Sequence, residues 1–381
     1  MSRRASSAVD GGPVMIAAGG TGGHVYPAQA LARCLRARGL GPAFVTDHRG
    51  AGFADDLADV PAYRVRASAI TGGGWRGLAM GIFDLGLGCV QAWRLIRRLA
   101  PRAAVGFGGY ASVAPILVAA RMGLPTIIHE ANAVMGRANR LLAPRTSAIA
   151  TSFSTTLGIA VADRDKVTRT GNPVRSGVVA ITAKGYPEPS PGDVIRLLVF
   201  GGSQGAAVMS RVVPAALTGL PDALRARLRV VQQCRTGEIA SVREQYRRAD
   251  IPAELTPFID DMPARLAAAH LVICRAGAST LAELAVVGRP AILVPYPHAT
   301  DDHQLVNARA MAHDGGGWLI QDTDFAAETL AAMIEELLAE PRLLARAAER
   351  AAALGQGDAA DRLAQLTERL IDEIRQARSA A

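Results

Sequence analysis

The chain has 381 residues, half of them hydrophobic and a fifth charged, which excludes a disordered, collagenous or low-complexity protein. At roughly 150 residues per domain this length predicts two or three domains. The net charge of +8 is uneven: residues 1–175 hold 21 basic and 9 acidic side chains, the remainder 21 and 25, so the first part is expected to seek anionic surfaces or ligands.

The first twelve residues are polar, with two arginines and no apolar run, so no secretory leader is expected. No stretch approaches the ~20 uninterrupted apolar residues of a membrane-spanning helix. Cys34, Cys89, Cys234 and Cys274 lie far apart without a C-x-x-C pair. Reduced thiols are therefore expected, with neither a disulfide framework nor a zinc site.

In chain order, the run Val14–Ala18 reads as a strand entering Gly19-Gly20-Thr21-Gly22-Gly23. A helix follows, with Val25, Ala28, Leu31, Ala32 and Leu35 on one face and Gly39 as its stop. Ala43–Thr46, Ala103–Val105, Thr126–His129 and Ser147–Ala150 are further strands. The pattern then restarts. Val194–Phe200 enters Gly201-Gly202-Ser203-Gln204-Gly205 and a helix from Ala206, and strands at Arg229–Gln233, Leu271–Cys274 and Ala291–Val294 follow. This alternation predicts an α/β protein of two Rossmann-like, doubly wound parallel-sheet domains, at 1–175 and 194–355. The proline- and glycine-rich segment 176–193 reads as a linker. Residues 356–381 carry Leu363, Leu366, Leu370, Ile371 and Ile374 at helical spacing and are expected to pack away from the second domain.

Four glycine-containing loops follow strands: Gly19–Gly23, Gly106–Tyr110, Gly201–Gly205 and Arg275–Thr280. Such a turn leaves backbone N–H groups unpaired and admits a phosphate, and the helix N-terminus behind it adds positive potential. Gly106-Phe107-Gly108-Gly109-Tyr110-Ala111 fits G-x-G-x-x-A, but no acidic residue follows at the spacing that a dinucleotide ribose requires, and G-K-[ST] is absent. Diphosphate-containing ligands, one per domain, fit better than a nicotinamide or a nucleoside triphosphate. Asp301, Asp302 and His303 are adjacent and cannot all face one ion, so no metal site is expected.

Three features have two readings each. Thr280-Leu281-Ala282-Glu283 is a capping box in form, yet a carboxylate one turn into a phosphate-binding helix can also accept both ribose hydroxyls. His24, behind the first loop, is either a capping side chain or a base, since the helix N-terminus favours a neutral imidazole that can take a hydroxyl proton. Residues 70–93 gather Trp75, Leu78, Ile82 and Phe83 among glycines, flanked by Arg76, Arg94, Arg97 and Arg98. That segment is either internal core or an apolar, arginine-rimmed loop suited to a membrane interface.

In order along the chain stand Gly19-Gly20-Thr21-Gly22-Gly23-His24, Gly108-Gly109-Tyr110, His129-Glu130 with Asn132, Gly171-Asn172-Pro173-Val174-Arg175, Gly201–Ala206, Phe258-Ile259-Asp260-Asp261-Met262, Cys274–Ala278 and His303-Gln304. Together they resemble the MurG family of bacterial transferases, which add N-acetylglucosamine to undecaprenyl-pyrophosphoryl-N-acetylmuramoyl-pentapeptide (lipid I) to give lipid II. Ala131, Val113-Ala114 and Ser279 depart from the family's usual residues.

The resemblance implies a GT-B enzyme, two domains facing a cleft, with the donor UDP-N-acetylglucosamine held mainly by the C-terminal domain. Ile259 would offer its backbone to uracil, and Glu283 would take the ribose hydroxyls. Ser203 and Ala278, Ser279 and Thr280 would hold the diphosphate, with Arg175 reaching across the cleft. Thr21, Gly22, Gly23, Asn132 and Gln304 would complete the donor side, and His24 would be the catalytic base. Gly20, Gly22, Gly108, Gly109 and Tyr110 would face the acceptor pyrophosphate. The patch of Trp75, Leu78, Ile82 and Phe83 would dock on the anionic cytoplasmic leaflet of the bacterial inner membrane, and the last helix would return to the first domain. No cofactor or nucleic acid is implied; cell-wall or division proteins would be partners. Another GT-B transferase, a UDP-N-acetylglucosamine 2-epimerase and a non-catalytic membrane scaffold are the alternative readings.

Overall fold

In the computed structural model, which describes residues 11–19, 22–47, 57–67, 74–190, 192–202 and 207–380, the apolar runs become the central strands of two parallel sheets. The chain divides into two units: residues up to Pro173 together with those from Asp358 onward, and Val174–Gly357.

The first unit contains β1 (Val14–Ala17), α1 (Gly22–Ala37), β2 (Pro42–Thr46), β3 (Ala62–Arg64), α2 (Gly74–Leu99), β4 (Ala103–Gly106), α3 (Tyr110–Arg121), β5 (Thr126–Glu130), α4 (Arg137–Leu142), β6 (Ala148–Thr151) and β7 (Val167–Arg169). Its strands are all parallel, in the order β3-β2-β1-β4-β5-β6-β7. Alternate residues feed opposite faces. Val14, Ile16, Phe44 and Val105 pack beside Leu31 and Leu35 of α1, whereas Met15, Ala17, Val45 and Ala104 pack beside Ile116 of α3 and Ile96 of α2. A parallel sheet covered on both faces reads as short continuous apolar runs, which is why these strands stand out in the sequence.

The second unit contains α5 (Ser176–Ala180), β8 (Ile195–Phe200), α6 (Ala207–Thr218), α7 (Asp222–Arg225), β9 (Leu228–Gln233), α8 (Ile239–Arg248), β10 (Ala253–Thr256), α9 (Met262–Ala268), β11 (Leu271–Cys274), α10 (Ala278–Val287), β12 (Ala291–Leu293), α11 (His303–His313), β13 (Gly317–Leu319), α12 (Ala327–Ala339) and α13 (Pro341–Leu354). Its parallel order, β10-β9-β8-β11-β12-β13, repeats the winding of the first sheet.

The segment expected as a linker belongs to this unit. Within it Ser176–Ala180 is helical and Val178 is buried. The Tyr186 hydroxyl donates to the His270 carbonyl at 2.9 Å. Arg289 is fully buried and donates to the carbonyls of Leu266, Val287, Gly288, Ala267 and Gly185. Burial lowers this guanidinium to about 10, so it stays charged at neutral pH. Five carbonyl dipoles satisfy its donors where a carboxylate would otherwise serve.

The last helix, α14 (Ala359–Ala380), joins the first unit. Leu363, Ala364, Leu366 and Ile371 enter the α1 side of its core. Arg38, just past the end of α1, donates to Asp361 at 2.5 Å and to Glu368 at 2.6 Å. The Leu363→Ala variant is expected to destabilise this unit by about 2–5 kcal/mol, the usual cost of an emptied leucine site. A denaturant titration indistinguishable from wild type would show that the helix does not complete that core.

Candidate active site

In each sheet the winding reverses between two adjacent strands, β1 and β4 in the first and β8 and β11 in the second. Open α/β sheets bind ligands in the crevice beyond the carboxyl ends at such a point. The four glycine loops singled out from sequence follow these four strands, and each leads into a helix: α1, α3, α6 and α10. Gly20 and Thr21 of the first loop and Ser203, with its neighbours through Ala206, lie outside the described residues.

In the first unit Gly19 is a point of close approach: a Cβ there would stand 2.4 Å from the Cβ of Ala111, so α3 reaches the loop because the residue is glycine. Gly22 and Gly23 open α1, and His24 follows, half-buried. Gly108 (φ 81°) and Gly109 (φ 71°) are left-handed, a conformation that strains other residues. A Cβ on Gly108 would lie 3.5 Å from His24 Cε1, and one on Gly109 3.6 Å from His24 Cδ2. The imidazole therefore lies against the Gly108-Gly109 turn, with Tyr110 heading α3 beside it. The N-termini of α1 and α3 both open at this crevice, and a helix N-terminus favours negative charge.

His129 and Glu130 close β5. The Glu130 carboxylate is buried and fully engaged: it accepts from the Asn132 N–H at 3.0 Å, the Gly136 N–H at 2.8 Å, Asn139 Nδ2 at 2.8 Å and Asn132 Nδ2 at 3.3 Å. It thereby sets the loop that presents Asn132. Sequence reading missed Asn139, whose helical position nine residues on carries no local signal.

His129 is buried, its Nε2 donates to the Gly171 carbonyl at 3.0 Å, and burial lowers it to about 4. In the second unit His270 Nδ1 accepts the Arg196 N–H at 2.9 Å, and burial together with the charges of Arg196 and Arg289 lowers it likewise to about 4. An unfolded histidine titrates near 6.5, so below that pH the unfolded chain binds protons that the folded chain refuses. Stability contributed above about 6.5 is then lost as pH falls toward 4. Thermal melting is expected to drop across pH 6.5 to 4, and less steeply in His129→Gln. Identical pH slopes for variant and wild type would refute this assignment.

In the second unit α10 is capped by Gly277, and Leu281 N–H bonds to the Gly277 carbonyl at 3.0 Å. Ala278, Ser279 and Thr280 are thus the first three residues of the helix, the turn at which main-chain N–H groups point along the axis away from the helix body. Thr280 lies inside the first turn, not at the cap, so the capping-box reading of Glu283 fails. The carboxylate instead takes a bidentate pair from Arg175, with Nε–Oε1 and Nη2–Oε2 both at 2.6 Å. Arg175 belongs to the same unit as Glu283, which corrects the expectation that it reaches from the opposite domain.

Ile259 is buried beside exposed Phe258, and among the described residues its main-chain groups enter none of the loop hydrogen bonds. The Gln304 side-chain oxygen accepts the Tyr296 N–H at 3.0 Å. Asp301 and Asp302, both left-handed (φ 54° and 50°), lead into the helix that carries Gln304. Arg275, given no role from sequence, is buried and donates to the carbonyls of Val294 and Pro295 and to Asp322 at 2.6 Å. It fixes the loop after β12 against the start of α10. Among the described residues no three His, Cys, Asp or Glu side chains gather as metal ligands.

The expected apolar patch lies on α2, which begins at Gly74, so Trp75 is on a helix and not on a loop. The side chains of Trp75 and Leu78 lie outside the described residues. Ile82 and Phe83 are each 58% exposed, and Met80 is exposed beside them. Trp93 is also exposed, with Arg97 over its ring at 5.0 Å, whereas Ala92 and Ile96 are buried. No helix among the described residues is long and apolar enough to cross a membrane.

Paired Rossmann-type units, with glycine loops and helix N-termini at both switch points, are the architecture of nucleotide-sugar glycosyltransferases. Residues 14–151 match the N-terminal domain of glycosyltransferase family 28, and residues 196–363 match its C-terminal domain. The UDP-N-acetylglucosamine–N-acetylmuramyl-(pentapeptide) pyrophosphoryl-undecaprenol N-acetylglucosamine transferase of Rhodospirillum centenum is 53% identical over 92% of this chain and 93% of its own length. The protein of the same name from Paramagnetospirillum magneticum is 49% identical over 94% and 96%. The crystal structure of Acinetobacter baumannii MurG superposes with a TM-score of 0.75 at 28% identity, covering 94% of this chain and 99% of that one. The chain belongs to glycosyltransferase family 28 and, within it, to the MurG family.

Proposed function

We propose that this protein transfers N-acetylglucosamine from UDP-N-acetylglucosamine to the C4 hydroxyl of N-acetylmuramate in a pentapeptide carried on undecaprenyl pyrophosphate, with inversion at the anomeric carbon. The observation that carries this reading is the placement of two glycine loops and helix N-termini at each switch point, one set for each of two diphosphate-bearing substrates. The relatives' named reaction uses two such substrates.

On the donor side, Ile259 meets uracil through its backbone and Glu283 takes the ribose hydroxyls. The amides of Ala278, Ser279 and Thr280, with Ser203 and Arg175, take the charge that develops on the departing diphosphate. Preorganised amides and a guanidinium stabilise such charge without reorganising during reaction and can serve in place of a metal ion. Asn132 and Gln304 contact the sugar. On the acceptor side the loops holding Gly20–Gly23 and Gly108–Tyr110 take the pyrophosphate, and His24 removes the proton from the attacking hydroxyl. An epimerase acting without acceptor would need a free carboxylate in the first unit, and Glu130 is committed to its own loop.

The exposed apolar side chains on α2, in the unit that holds most of the positive charge, support peripheral docking on the anionic cytoplasmic leaflet. Each nearby basic residue contributes ~1 kcal/mol to such binding. The double change Ile82→Ser, Phe83→Ser is expected to lower co-sedimentation with anionic vesicles; undiminished co-sedimentation would remove the patch from that role. The function itself is tested by incubating the purified chain with labelled UDP-N-acetylglucosamine, with and without a lipid I analogue. UDP release that requires the acceptor is expected, and acceptor-independent turnover of the nucleotide sugar would refute the reading.

A further inference from the structure

A small groove in the first unit lies immediately beside the Gly108–Tyr110 turn. Tyr110 forms one wall, Leu85 of α2 and Leu141 of α4 form others, and Val113 and Ala114 of α3 form the floor. Arg66 and Arg137 also line it. The groove exists because α2 packs closely: Gly88 brings that helix against Arg66 and Ala114, where a Cβ would fall 2.4 Å from the Arg66 carbonyl oxygen and 3.3 Å from the Ala114 Cβ.

We infer that this groove holds the first isoprene unit of the acceptor's polyprenyl chain. The inference rests on the proposed transfer to a polyprenyl-diphosphate acceptor and locates a part of that acceptor which the glycine loops do not. In such an acceptor the first isoprene is bonded directly to a phosphate oxygen, so a diphosphate at the α3 N-terminus places it within one residue's reach of Tyr110. The groove offers carbon where hydrocarbon must lie, and its lining includes two arginines, of which Arg66 also pairs with Asp84 at 3.4 Å. It is also continuous with the apolar surface beyond. Leu85 lies one helical turn from Ile82 on α2, and Ile82 and Phe83 are exposed, so the remaining chain runs from the groove along α2 toward the bilayer. Leu141, 46% exposed, is the wall residue whose replacement least threatens folding.

The test uses the full-length protein in vesicle-free solution with two soluble acceptors, the N-acetylmuramoyl-pentapeptide diphosphates of methanol and of geraniol. Wild type is expected to show an acceptor KM about tenfold lower for the geranyl compound, the effect of burying a few methylene equivalents. The Leu141→Gln variant is expected to lose most of that preference. Phe83→Ser is expected to keep it while binding anionic vesicles less well, which separates the groove from membrane docking. Equal KM values for the two acceptors in wild type, or a preference untouched in Leu141→Gln, would overturn the groove assignment while leaving the transfer reaction standing. Failure to transfer sugar to either acceptor would overturn the function itself.

Discussion

Arg175→Ala is expected to raise the dissociation constant for UDP by about 10- to 100-fold, because a hydrogen bond to a charged group contributes about 1.5–3 kcal/mol. In the structure the guanidinium is engaged with Glu283 through two 2.6 Å bonds, so two groups assigned to the donor hold each other. Under the proposed donor assignment, binding would open this pair, turning the carboxylate to the ribose hydroxyls and the guanidinium to the diphosphate. Arg175→Lys is not expected to restore affinity, since a point charge cannot reproduce the planar two-pronged contact. A double-mutant cycle with Glu283→Ala gives the sharper result. The two substitutions should be coupled in the stability of the free protein, where the pair is intact, and less coupled with UDP bound, where it is open. Calorimetry showing unchanged UDP affinity in Arg175→Ala would take this residue out of the donor site.

His24→Ala is expected to lower kcat by about 10²- to 10⁴-fold, the contribution of a positioned general base, while UDP affinity stays at the wild-type value. The expectation follows from where the imidazole lies. It rests in the first unit against Gly108 and Gly109, the turn proposed to take the acceptor's pyrophosphate, and the groups assigned to UDP belong to the second unit. Near-wild-type turnover in His24→Ala would refute the base assignment. A loss of UDP affinity would instead make His24 a donor-binding residue.

The interior strands were legible in the sequence and the sheet edges were not. Runs such as Val14–Ala17 and Leu271–Cys274 are buried on both faces, and burial on both faces writes an uninterrupted apolar string. The four strands that sequence reading missed, Ala62–Arg64, Val167–Arg169, Ala253–Thr256 and Gly317–Leu319, are the outermost strand on each side of each sheet. Such strands are short, partly exposed and free to carry polar residues.

The glycine loops were legible for a related reason: left-handed backbone at Gly108 and Gly109 and the close approach of Ala111 to Gly19 tolerate few residues besides glycine. Their pairing at two switch points was not, because strand order is a long-range property. Glu283 shows the limit on the local side. Thr280-Leu281-Ala282-Glu283 satisfies the capping-box pattern, but the helix begins two residues earlier, at Ala278, and the carboxylate finds Arg175 108 residues away in the chain. The segment 176–193 shows it again. Proline and glycine content suggested a linker, while the hydrogen bonds that fasten it come from Arg289 and from the His270 carbonyl.

The proposed reaction is a single displacement, in which the hydroxyl primed by His24 attacks as UDP departs onto the α10 amides and Arg175. Proton NMR of the disaccharide made from UDP-N-acetylglucosamine and a soluble lipid I analogue tests it most directly. A new β-linkage from the α-configured donor is the predicted result; an α-linkage, or free hexosamine in place of disaccharide, would contradict it.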